Sequence, residues 1–165
     1  MTWDAYHRRE DVLGRVMRLA DRRRDGVIPW AETAGADAAF GNPTDLLRAL
    51  HMRWHTRLSG AFERELHEQP WDLEQVVVHA WRQTAAEMPG VRAILDAHGD
   101  DEAMHPARRK DWILLATASG AAGIDDPRAP EIGRAVEDRA REVVVDKTPP
   151  VRDTWIARLK HVLAA

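Results

Sequence analysis

Residues 43–69 read PTDLLRALHMRWHTRLSGAFERELHEQ, and within them apolar side chains return every three or four positions. Leu47, Leu50, Trp54, Leu58 and Phe62 share one side of a helix turning 100° per residue, which is the spacing of an amphipathic helix with a buried face. Pro43 or Thr44 opens this helix and Pro70 ends it, because proline suits a first turn and breaks an interior. At 1.5 Å per residue the helix is about 39 Å long, enough to cross a whole domain. A strand would need strict alternation over a strand-length window, and the chain has none.

The flanking segments follow the same period. Thr2 caps a first helix reaching about Arg24, with Tyr6, Leu13, Val16, Met17 and Ala20 on its inward stripe, and Asp25-Gly26 stops it. Positions 27–41 form a connector holding at most a short helix, plugged by Ile28, Trp30 and Phe40. Beyond Pro70, Asp72 and Gln75 resemble a capping box that opens a helix burying Leu73, Val77, Trp81, Thr84 and Met88. Pro89-Gly90 breaks it, and Val91, Ile94 and Leu95 form a short continuation that Gly99 terminates. Pro106 starts a helix to about Ser119 with Trp112 and Leu115 inward, and Pro130 starts one to about Asp146 along Ile132, Val136, Ala140 and Val143. After Pro149-Pro150 a final helix aligns Val151, Trp155, Ile156, Leu159 and Val162. The expectation is an all-α fold: a compact antiparallel bundle of six to seven helices in a single domain over 1–165.

Composition narrows function mostly by exclusion. The 165 residues are 44% hydrophobic and 31% charged, a soluble globular balance. A net charge of -3 lacks the basic excess of a dedicated nucleic-acid binder, so no nucleic acid is expected as a partner. Arg outnumbers Lys 21 to 3, which reads as GC-rich bacterial composition before it reads as guanidinium chemistry. With no Cys there is no disulfide and no thiolate metal site, in keeping with a cytoplasmic protein. The first residues, with Asp4, His7, Arg8, Arg9 and Glu10, lack the apolar centre of a signal peptide. The longest run without charge, 112–124, has 13 residues, short of the ~20 that span a bilayer, so no membrane is expected either.

The chain is rich in tryptophan, which supplies seven of the ten aromatic residues. Trp54, Trp81, Trp112 and Trp155 fall on inward stripes. Trp3, Trp30 and Trp71 fall at helix starts or in connectors, where indole serves as an interface anchor, so a protein partner or homo-oligomer is expected to use them.

Familiar catalytic signatures fail on spacing. His67-Glu68 lacks a second His at position 71, Lys147-Thr148 lacks a preceding Gly, and the residues around Ser119 lack the glycines of a nucleophile elbow. The pattern that survives is His51 and His55, four apart and therefore stacked on one helix face, where two neutral nitrogens can reach a common divalent metal. Glu10 and Glu65 sit on apolar stripes, and a carboxylate there needs a partner. One reading therefore joins His51 and His55 to Glu10, or to another helix's carboxylate such as Glu87, as a metal site. The bland reading makes both histidines structural and pairs Glu10 and Glu65 with Arg53, Arg57 or a histidine. Because no catalytic motif meets its spacing, the leading expectation is a non-enzymatic interaction or regulatory module. A metal-binding bundle acting as enzyme or sensor is the alternative, and a small-molecule binder is the third.

Overall fold

A computed structural model of the chain describes residues 3–67 and 71–142. Among these, all regular structure is helical: α1 (Trp3–Arg23), α2 (Ala36–Phe40), α3 (Pro43–His67), α4 (Leu73–Glu87), α5 (Pro89–Ala97), α6 (His105–Ala118) and α7 (Ala129–Arg141), with a 3-10 turn at Glu102–Met104. The expected final helix, with Trp155, lies outside the described residues. The helix expected to reach about Asp146 stops at Arg141, because Glu142 leaves the helical region with ψ 129°.

The helix ends have local causes. Arg24 and Gly26 take left-handed φ values of 52° and 75°, which turns the chain back after α1. Gly26 is doubly required, because a Cβ there would also meet the Ala97 side chain at 2.9 Å. Asp72 accepts a hydrogen bond from the Gln75 amide at 3.0 Å and caps α4 as expected. α4 and α5 follow each other with only Met88 between them, since Pro89 lacks the N–H that would continue α4.

α3, with 25 residues the longest helix, runs through the assembly and touches α1, α2, α4, α5 and α6. Trp54 is wholly buried at its middle and meets Trp81 of α4 edge to face at 5.7 Å. Around them close Leu46, Leu50, Leu58, Val77, Val91 and Ile94, all at most 1% exposed. Truncating such a tryptophan to alanine costs about 3–5 kcal/mol, so this pair anchors the core. α1 packs chiefly on α5 and α6 chiefly on α7. Gly90 makes the first crossing close: a Cβ there would lie 2.1 Å from the Ala20 carbonyl carbon.

The expected stripes hold except at their outer ends. Tyr6 and Leu73, both expected inward, are 48% and 37% exposed. The rest is in the core, with Leu13, Val16 and Ala20 buried in α1 and Val77, Trp81, Thr84 and Met88 buried along and after α4.

Candidate functional site

The two histidines of α3 meet a carboxylate that the helix period did not single out. Asp111 of α6 lies between them, with Oδ2 3.0 Å from His51 Nε2 and Oδ1 2.6 Å from His55 Nδ1. His51 and Asp111 are buried, and His55 is half-buried at the edge, as its place on the stripe implied. Burial pushes the Asp111 carboxyl up, but the hydrogen bonds from His51 and His55 outweigh it and hold the group below its ordinary value. Asp111 is therefore ionised and acceptor-only, so His51 donates Nε2–H and His55 donates Nδ1–H. The hydrogen bond to Asp111 in turn raises the His55 pKa, against the opposing effects of burial and of Lys110.

Behind this cluster a second polar network ties α5, α6 and α7. Buried Glu137 accepts from the Trp112 indole N–H at 2.6 Å and from Arg141 at 2.7 Å. Arg141 also donates to Asp96 at 2.6 Å, and Arg92 donates to the same carboxylate at 2.8 Å. Burial raises the Asp96 pKa, yet Arg141 and Arg92 hold it below its ordinary value. The Arg92 guanidinium lies 4.7 Å from the Trp54 ring and that of Arg141 5.2 Å from Trp81, so the core tryptophans are covered by cations on the network side. Between the two networks, against His51, Arg92, Asp111 and Glu137, remains a space of about 10 Å³, the size of one water.

The expected site residues separate. His51 and His55 stay together, but Glu10 pairs with Arg53, and Glu87 with Arg57 at 2.6 Å. Glu65 is half-buried and lines a shallow groove with Gln75, His79 and Arg82. Among the described residues no group of three His, Asp or Glu side chains is arranged to hold a metal ion. Each imidazole nitrogen facing Asp111 is instead committed to its own carboxylate oxygen. The rule that flagged Glu10 and Glu65 applies equally to Asp111, which stands four residues before Leu115, and to Glu137, which stands four after Gly133 and three before Ala140.

The front of α3 is different. With α1 it walls an open groove of about 490 Å³, lined by Tyr6, Glu10, Leu13, Arg48, Met52 and Arg53 among others. Met52 is 60% exposed, and Trp3, 74% exposed, stacks on Tyr6 with ring centroids 6.4 Å apart. Of the other tryptophans expected at a surface, Trp71 is fully exposed, whereas Trp30 packs half-buried against the core. Among the described residues no helix is long and apolar enough to cross a membrane. Set against protein-family models, curated proteins and solved structures, the chain matches none.

Proposed function

We propose that this chain is a non-enzymatic interaction module that binds another polypeptide through the face between α1 and α3. The observation that carries the reading is that Tyr6 and Met52 line one groove and Trp3 stacks on Tyr6 beside it, three of the seven large apolar side chains that the described surface exposes. Tryptophan, tyrosine, methionine and arginine are the residues that interfaces concentrate, and here Arg48 and Arg53 flank the apolar ones. The buried cluster supports the same reading from behind. Anchored by His51 and His55 to Asp111, α3 is fixed about its own axis, which turns Ala49, Met52 and Arg53 toward α1.

The test is hydrogen–deuterium exchange on the full chain alone and in its complex, either self-associated or with a purified partner polypeptide, paired with the Trp3→Ala/Met52→Glu double variant. Protection over 3–13 and 45–56 is expected on binding. The double variant should lose binding at least about tenfold, while its stability stays within ~0.5 kcal/mol because both side chains are exposed. Protection confined to other helices, or undiminished binding by the variant, would sink the proposal.

A further inference from the structure

The other flank of α1 bears a second surface, which shares only Arg9 with the α1–α3 groove. Arg8, Asp11, Arg15, Arg18 and Arg22 recur at three- and four-residue spacing, all exposed, and so form one row about 21 Å long. Facing the row is the 32–39 segment, which carries the small exposed residues Ala34, Gly35 and Ala38 and the exposed acids Glu32 and Asp37, of which only Glu32 lines the channel. Arg9 and Arg15 donate to the carbonyls of Ala39 and Ala34, each at 2.9 Å, and thereby staple this wall to α1. The channel between them is thus preformed: two hollows of about 320 and 280 Å³ adjoin along it and share Arg15.

Its charge runs against that of the whole chain. Five arginines line the channel against two acids, Asp11 and Glu32, on a protein of net charge -3. Glu32 is already engaged by Arg23, and among the described residues Arg15, Arg18 and Arg22 are in no ion pair. A row of solvated arginines is ordinary on a helix. This row instead borders a channel whose opposite wall presents Ala34, Gly35 and Ala38 beyond Glu32, small residues that let another backbone come close.

We propose that the channel docks an acidic amphipathic helix of a partner polypeptide. The row is about four helical turns long, so carboxylates on one face of the partner helix meet Arg8, Arg15, Arg18 and Arg22, leaving the turn opposite Asp11 uncharged, while its small or aliphatic side chains fill the channel. A nucleic acid fits less well, because its phosphates make no use of the small Ala34, Gly35 and Ala38 wall and the chain's net charge repels a polyanion at longer range.

Fluorescence anisotropy on the full chain at low salt tests this with a labelled Glu/Ala/Leu helix of about 18 residues carrying one row of glutamates. A Gln-for-Glu peptide and a DNA duplex serve as competitors. The acidic helix should bind and weaken as salt rises, and Arg18→Glu/Arg22→Glu should reduce its affinity at least about tenfold. Arg18→Lys/Arg22→Lys should reduce it less than about threefold, since charge is kept. An unchanged melting midpoint in both variants confirms that the fold is kept, and Arg9 and Arg15, which staple the wall, are left in place. Failure of the acidic helix to bind, equal binding of the Gln peptide or of the charge-reversed variant, or preference for the duplex would each overturn the assignment. None of these outcomes bears on Trp3, Tyr6 or Met52, so the two surfaces stand or fall separately.

Discussion

α6 meets its two main neighbours by opposite means. Against α7 the contact is chiefly one of shape: a Cβ on Gly133 would sit 1.7 Å from the Trp112 carbonyl oxygen, so the helices cross with almost nothing between them, and the neutral Trp112 indole N–H adds one hydrogen bond to Glu137 across the seam. Against α3 the contact is one of charge, with Asp111 buried between two imidazoles. A shape contact is indifferent to pH and needs only that nothing grow. A charge contact specifies register, because sliding either helix by a turn would leave an ionised carboxylate buried and unpaired.

The largest expected break in this contrast is Asp111→Ala, which strands His51 and His55 and costs about 3–5 kcal/mol in urea or thermal unfolding. A loss below about 1 kcal/mol would show that α6 is held on α3 by apolar packing alone. Next comes Gly133→Ala. The added methyl forces α6 and α7 apart and costs about 3 kcal/mol, by the same amount at pH 5.5 and pH 8.5. A pH-dependent loss there would mean that the two contacts are not separate.

The smallest effect is the wild-type pH profile. The raised His55 pKa contributes stability that is fully present below the ordinary imidazole value and is lost as pH rises through the raised one. The lowered Asp111 pKa contributes stability that is present above the ordinary carboxyl value and is lost as pH falls through the lowered one. Together they place the cluster's greatest stabilisation between about pH 4 and pH 6.5. Melting midpoints should therefore decline from pH 6 to pH 8.5, and His55→Gln should flatten that limb. A profile that stays equally steep in the variant would assign the titration to another group.

Parts of this arrangement were legible in the residues themselves. The stacking of His51 and His55, the burial of the first and the half-exposure of the second follow from a 100° rotation per residue. The Asp72 cap and the break at Pro89 follow from local backbone chemistry. Asp111 as the partner was not legible, although its place four residues before Leu115 carries the same signal that Glu10 and Glu65 carry. Period says only that a carboxylate lies beside apolar residues, and it is silent on which acid from which helix arrives. Glu10 shows the same limit from the other side: its stripe position called for a partner among Arg53, Arg57 or a histidine, and only the packing of α1 on α3 selects Arg53.

What the amino-acid order determines alone is therefore everything that acts within about one helical turn: where helices begin and end, which face is apolar, and which two imidazoles share it. What tertiary structure decides is the identity of partners across helices, such as Asp111 for the histidines, Glu137 for Trp112 and Arg53 for Glu10. It also decides which tryptophans remain outside, leaving Trp3 and Trp71 exposed and Trp30 folded onto the core. The physical reason is range. Hydrogen bonds along a helix close over four residues, whereas Asp111 reaches His51 across sixty, and only packing of the whole core sets that distance.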